Sequence, residues 1–390
     1  MKILYITFKN IASLNAGDKI VSYSFLKQIS ENYQVTLVNI LDEGSYSEQE
    51  IIRLKNLGIT YYFYDEIETH SVGTVIDSMV SGDPVVFTRK RFRKTLSKMI
   101  SSICDTLNPG LVIWDHFRSL AYFPQSLLKF RNLLVEHNDE GKVMLQRSRK
   151  SHFPVNLISY WQSKLIYSKT NYYHKVFSGI IFISSYDITS VNKPSEKYCL
   201  ITKLNLYFHH ANYKIRNDEK LRLIFVGSLD WFPNTEGITW FVKEVLPFVK
   251  SKIELHVVGR RPIKEVNNLS SENIFIYSNV LSIEEHILAS DIFLAPLFSG
   301  SGINIKILEA LSYGIPIVGS THAFRGYDGL ISDGFKSFDK PAEFAKQIDL
   351  LCSSYNSRCN LSEYELSYYA KYKEMSKMEL VQAIQFFAGS

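Results

Sequence analysis

The chain has 390 residues, 46% of them apolar and 21% charged, and carries a net charge of +5. Those proportions suit two globular domains of ordinary size and exclude a disordered or fibrous polymer. Four cysteines without CxxC or Cys/His spacing, no apolar run of the roughly 18–20 residues a membrane span needs, and a start (MKILYITF) that reads as a strand lead to the expectation of a reduced, cytoplasmic protein. The charge is uneven: residues 1–200 hold 24 Lys and Arg against 18 Asp and Glu, residues 201–390 hold 20 against 21.

In chain order, the first half alternates buried strands with helical patterns. Lys2–Phe8 reads as a strand, and Ala16-Gly17-Asp18 as a turn before an amphipathic helix to about Ile29. Strands follow at Gln34–Ile40, Tyr61–Tyr64, Leu111–Trp114, Asn132–Glu136 and Ile180–Ser184. Strands separated by helices imply parallel βαβ units and a doubly wound sheet. Ligands bind outside the carboxyl ends of such strands. Gly17, Asp115, His116, His137 and Glu140 all fall there. A second series, LRLIFVGS, IELHVVGR, NIFIYSN, DIFLAPL and IPIVGS, begins near Leu221, so the domain boundary is expected in the polar segment 192–220. The tail 361–388 reads as helical.

The most informative stretch is FSGSGINIKILEALSYG, residues 298–314. Ser299-Gly300-Ser301-Gly302 suits neither strand nor helix and reads as a tight loop. Ile303, Ile307, Leu308 and Leu311 then repeat at helical spacing, and Gly314 stands where a helix C-cap would. Strand, glycine loop and helix together offer backbone N–H groups and a helix dipole to a phosphate. Lys306 and Glu309, three apart, share one side of that helix. A cation near the loop and a carboxylate one turn on suit a diphosphate followed by a ribose; the plainer reading is a solvated ion pair of little weight.

The longer string is more specific. VGS at 226–228, Trp231-Phe232-Pro233-Asn234, VVG at 257–259, LASDIFLAPL at 288–297, the 300–320 segment and FRGYDGL at 324–330 follow in order. This resembles the C-terminal domain of family 4 glycosyltransferases, in the branch with a GxG…KILEA loop and a W-x-PN segment. The resemblance implies an α/β fold of GT-B type, two facing Rossmann-like domains with parallel sheets. It places an acceptor domain at 1–200 and a nucleotide-sugar donor domain at 221–374, with the last helix, about 375–388, crossing back to the first. It implies a retaining transfer from a nucleotide diphosphate sugar, most often UDP, to a glycan or lipid-linked acceptor, as in bacterial-type surface polysaccharide assembly. The donor residues it implies are Gly227, Ser228, Asn234, Val280, Ser301, Gly302, Ile303, Asn304, Lys306 and Glu309, with Glu309 on the ribose.

The chain departs from the family pattern at three places. The first Glu of the family's Glu-x7-Glu pair is Ser301. Ser228 and Asn234 stand where many relatives carry Arg and Lys, and Asn304 stands where Arg is common. Lys306 is then the well-placed cation, with Arg260 and Arg261 as weaker candidates. His137, in HNDE, matches a His that approaches the donor sugar, and the same segment reads otherwise as a helix-capping loop. His116 is its rival, and Gly17, His116 and Glu140 are expected at an acceptor or phosphate loop. No cofactor or metal is implied, since loop amides and Lys306 would take the leaving group's charge. A non-catalytic nucleotide-sugar-binding partner and a GT-B epimerase are the alternatives.

Two basic, aromatic segments, 87–100 and 144–177, carry the positive excess of the first half. Such segments either lie on an anionic membrane surface or form ordinary solvated helix faces. No nucleic-acid-binding module accompanies them.

Overall fold

A computed structural model describes the chain apart from residues 15, 42–45, 189–195, 207, 209–212, 219, 281, 328, 333, 334 and 390. Much of the segment in which the boundary was sought therefore lies outside the described residues. The chain forms two compact units, Met1–Tyr207 with Met375–Ser390, and Phe208–Glu374.

The first unit is built on seven parallel strands: β1 (Lys2–Phe8), β2 (Gln34–Leu41), β3 (Thr60–Asp65), β4 (Leu111–Asp115), β5 (Asn132–Glu136), β6 (Gly179–Phe182) and β7 (Tyr198–Leu200). Their order is β3-β2-β1-β4-β5-β6-β7. Helices cover both faces, which is why β1, β4 and β5 read as nearly unbroken apolar runs. Leu4, Ile6, Val112, Trp114, Leu134 and Ile180 are fully buried among them. Trp114 keeps its polar handle satisfied by donating from Nε1 to Asn132 Oδ1 at 2.9 Å. β7 was not foreseen; it is three half-buried residues at the sheet edge, too short for a periodic signal.

The last helix, Glu379–Gly389, buries Leu380, Ala383, Ile384 and Phe387 in this unit. Gly179 makes room for it: a Cβ there would lie 2.5 Å from ring carbons of Phe387.

The two basic segments differ in their packing. In the first, Phe87, Leu96 and Ile100 belong to the core, Lys90 is ion-paired with Glu68, and Arg93 reaches Asp83 at 2.5 Å. Phe87, Leu96 and Ile100 of this segment are thus turned inward, while Phe92 and Met99 stay 37% exposed. The second segment becomes two helices, Glu140–Lys150 and Val155–Val176, joined through a cis Phe153–Pro154 bond.

The second unit holds five parallel strands, β8 (Leu221–Val226), β9 (Ile253–Gly259), β10 (Ile274–Ser278), β11 (Ile292–Ala295) and β12 (Ile317–Gly319), in the order β10-β9-β8-β11-β12. Both sheets therefore reverse their winding once, beside β1 and β4 in one and beside β8 and β11 in the other. Connections diverge at such a point and leave a crevice at the carboxyl ends of the strands. Both groups of candidate residues sit at these ends.

Candidate functional site

In the second unit, β8 runs out at Val226 into Gly227, whose N–H donates to Val258 O at 3.0 Å. Lys306, in the helix Ile305–Tyr313, lays its ammonium over Gly227. It donates to Asn234 Oδ1 at 3.0 Å and stands 5.7 Å from the Phe225 ring centroid. Asn234 is held in turn, its Nδ2 donating to Ser228 O at 2.8 Å. The glycine is required by close approach: a Cβ at 227 would lie 2.5 Å from Lys306 Nζ and 2.7 Å from Asn234 Nδ2. Gly259 is fixed the same way, since its Cβ would fall 1.7 Å from Gly227 O. The VGS and VVG strand ends and the W-x-PN segment thus form one support for Lys306.

The glycine loop is held from behind. Gly300 and Gly302 take φ of 109° and 74°, which an L side chain rarely adopts. Arg325, buried, donates from Nε to Gly302 O at 2.6 Å and from Nη2 to Ser301 O at 2.8 Å, and Tyr327 Oη donates to Asn304 O at 2.7 Å. In a trans peptide C=O and N–H point in opposite directions, so the amides of Gly302, Ile303 and Ile305 point away from Arg325 and Tyr327. That is the geometry of an anion nest at a helix N-terminus. Asn304 caps the helix through its backbone only, and its buried Nδ2 has no hydrogen-bond partner among the described residues. Ser299 Oγ is tied to Glu236 at 2.5 Å.

Lys306 and Glu309 are both half-buried. Burial pushes the Lys306 ammonium down to about 8, against the pull of Glu309. Burial likewise pushes the Glu309 carboxyl up to about 7, opposed by Lys306 and aided by Glu284. Among the described residues none hydrogen-bonds the Glu309 carboxylate, so its acceptor capacity is available to hydroxyls. Arg325 and Tyr327 were singled out only as part of a string, and nothing in their own spacing assigns them to the loop. Val280 lies half-buried in the loop after β10, beside residue 281, which is outside the described residues. Arg261 is exposed and turned to Asp230 at 3.2 Å, while Arg260 contributes a carbonyl to Leu229 N. Neither arginine is joined to Lys306.

In the first unit the ends of β1, β4 and β5 bring together a buried polar cluster. His137 Nε2 meets Asp115 Oδ1 at 2.7 Å, and Thr7 donates to Asp115 Oδ2 at 2.8 Å. His116 stands beside it, ring centroids 5.3 Å apart, with Nε2 3.5 Å from Glu140 Oε1 and its ring edge-on to Phe8. Burial holds the His116 imidazole well below its ordinary value, and the nearby charges of Arg118 and Lys9 push the same way. Glu140 opens its helix, whose N-cap Asp139 accepts from Lys142 N at 2.8 Å. The capping reading of HNDE and the placing of His137 in a cluster therefore coexist. Gly17 opens the helix Gly17–Ser30 without a left-handed φ, so its backbone places no demand for glycine. The charge at that turn belongs to Asp18, paired with Lys9 at 2.5 Å. Burial opposes ionisation of Asp18, yet Lys9 together with His116 and His137 holds its carboxyl far below the usual carboxylate range. The Asp115–His137 pair joins two strand ends 22 residues apart, a distance no local pattern spans. Among the described residues, no group of three or more His, Cys, Asp or Glu is placed to hold a metal ion.

Residues 220–354 match the family described as glycosyl transferases group 1. An uncharacterized glycosyltransferase of Methanocaldococcus jannaschii is 25% identical over 253 residues, covering 59% of this chain and 62% of that protein. Solved structures similar over the whole chain include Staphylococcus aureus TarM (9% identity, 99% of that chain, TM-score 0.66). Anabaena HepE in complex with UDP and glucose (12%, 98%, 0.64) and a sucrose-phosphate synthase of Thermosynechococcus elongatus (11%, 100%, 0.67) are others. The chain thus has the two-domain α/β fold of GT-B type, and its residues 220–354 are similar to the group 1 glycosyl transferases.

Proposed function

We propose that the chain is a retaining glycosyltransferase that moves a sugar from UDP to a glycan or lipid-linked acceptor, at the cytoplasmic face of a membrane. The observation that carries this reading is the Lys306–Asn234 pair laid over Gly227, next to a glycine loop whose carbonyls are drawn back by Arg325. A diphosphate fits that surface: loop amides and the helix end receive its oxygens, and Lys306 supplies the charge. Glu309, one turn on, takes the ribose hydroxyls. Anabaena HepE was solved with UDP and glucose, which supports the same donor class here.

In the reaction the bond from the anomeric carbon to the diphosphate breaks, and a bond to the acceptor oxygen forms on the same face. The acceptor's proton passes to the departing phosphate oxygen, so no protein base is needed. Lys306 and the loop amides stabilise the charge that grows on the diphosphate. His137, held by Asp115, contributes a hydrogen bond in the transition state rather than a proton transfer.

Thermal shift against a panel of nucleotides and nucleotide sugars tests the donor. A ligand at 100 times its Kd should add about 2.7 kcal/mol of stability. UDP and UDP-sugars are expected to give the largest shift, followed by turnover of a labelled donor with retention of configuration. No shift with any uridine nucleotide would refute the reading, and shift without turnover would leave a binding protein.

A further inference from the structure

One helix of the first unit and the start of another are inside out. In Val72–Ser81 the buried positions are Thr74 and Ser78, whereas Val72, Ile76, Met79 and Val80 are 77%, 54%, 63% and 84% exposed. The start of Val155–Val176 repeats the pattern: Ser159, Gln162 and Ser163 are buried, and Leu157, Ile158 and Tyr160 face solvent, next to Phe153 at 78% exposure. The buried polar groups are satisfied locally. Ser78 Oγ donates to Asp83 O, Thr88 Oγ1 donates to Thr74 O, and Gln162 both accepts from Val85 N at 2.8 Å and donates to Ser78 Oγ at 3.3 Å.

The Gln162–Ser78 bond links the two helices through their buried polar sides, and each turns an apolar face to solvent. A polar inward face and an apolar outward face reverse what a solvated helix shows. Exposed apolar faces of this kind mark a contact with something other than water.

The charges around it select the occupant. Residues 141–186 contain seven Lys and Arg and no Asp or Glu. Arg147, Arg149 and Lys150 are exposed in the last turn leading to Phe153. Asp77 lies on the first helix, and Asp83 is neutralised by Arg93 and by Lys169 at 2.6 Å. Exposed apolar residues next in sequence to exposed cations match an anionic lipid interface, where aliphatic and aromatic side chains enter the acyl boundary and Arg and Lys meet the headgroups. No helix among the described residues is long and apolar enough to cross a membrane, so attachment of this kind is peripheral.

We infer that the helix pair Val72–Ser81 and Val155–Val176 docks the protein on an anionic lipid surface. This deepens the location given under the proposed function and moves it away from segment 87–100. It is independent of the donor site.

The test is co-sedimentation of the full chain with vesicles of phosphatidylcholine alone and of phosphatidylcholine with one third phosphatidylglycerol. The expected result is binding at least ten-fold tighter to the anionic vesicles, released by salt. Leu157→Ser with Ile158→Ser and, separately, Val72→Ser with Val80→Ser should each lower it several-fold. Arg147→Glu, Arg149→Glu and Lys150→Glu together should erase the preference for anionic lipid. These variants lie on the surface, and UDP binding by calorimetry should be unchanged in all of them. Absence of vesicle binding at low salt would overturn the inference even with UDP binding intact. So would a wild-type dimer in sedimentation velocity that the Leu157/Ile158 variant turns into monomer, since the surface would then be a contact between copies.

Discussion

Gly227→Ala is the most discriminating change to make in the second unit. The new methyl would lie 2.5 Å from Lys306 Nζ, 2.7 Å from Asn234 Nδ2 and 2.8 Å from Asn234 Cγ. Ordinary contact is ~3.5 Å, so the ammonium must retreat by about 1 Å. The Asn234 amide, tethered to Ser228 O, has to turn as well. The lysine is flexible, so overpacking should cost folding no more than ~1–3 kcal/mol. The charge-assisted contact to a diphosphate would be lost, worth about 1.5–3 kcal/mol, or roughly 10- to 150-fold in Kd for UDP. Isothermal calorimetry with UDP reads this directly, with a melting curve as control. Lys306→Ala should weaken UDP to a similar degree, and the double variant should lose little more than either single one, because both remove the same contact. A Gly227→Ala protein that binds UDP as the wild type does, or a double variant whose losses add fully, would refute the account of Gly227 as the seat of Lys306.

Other outcomes follow from the same sites. Glu309→Gln should weaken UDP by about 1.5–3 kcal/mol through one charged ribose contact, and unchanged calorimetric affinity would remove that role. The Glu309 carboxyl is raised from 4.5 to about 7 in the fold, so its contribution to stability is full below 4.5 and lost as pH rises through 7. Denaturation midpoints across that window should slope downward in the wild type and less so in Glu309→Gln. With the Lys306 ammonium titrating near 8, UDP affinity should hold below pH 8 and fall above it, and Lys306→Ala should flatten that fall. His137→Ala should lower kcat by roughly 10²–10³, the scale of one transition-state contact, with UDP affinity kept and no pH–rate limb assignable to His137. Unaltered rates would leave it a structural partner of Asp115.

What the sequence made legible is what local pattern encodes. β1, β4, β5, β8 and β11 announce themselves because strands covered on both faces are apolar throughout. The glycine loop and helix at 298–314 show themselves by composition and by the spacing of Lys306 and Glu309. The supports of those residues were not legible, since each comes from a distant stretch. Asn234 reaches Lys306 across 72 positions, and Arg325 reaches Ser301 across 24. Amphipathic pattern has a similar blind spot, because it gives two faces and does not say which is inside. Segment 87–100 suits a docking face or a solvated helix face by pattern, and its Phe87 and Ile100 are core. Val72–Ser81 is a helix that keeps its aliphatic side in solvent.

The placement of Met375–Ser390 within the first unit has a consequence for synthesis. A ribosome making ~5–20 residues per second spends roughly ten to forty seconds between residue 207 and the end of the chain. Throughout that interval the nascent first sheet lacks the helix that brings Phe387 against Gly179, while the whole of the second unit is being made. The second unit is therefore able to fold before the first is complete, against the order of translation. Residues 375–390 act as a late closing step, and a chain cut short at residue 374 would carry a finished second unit attached to a first unit with part of its core open to water.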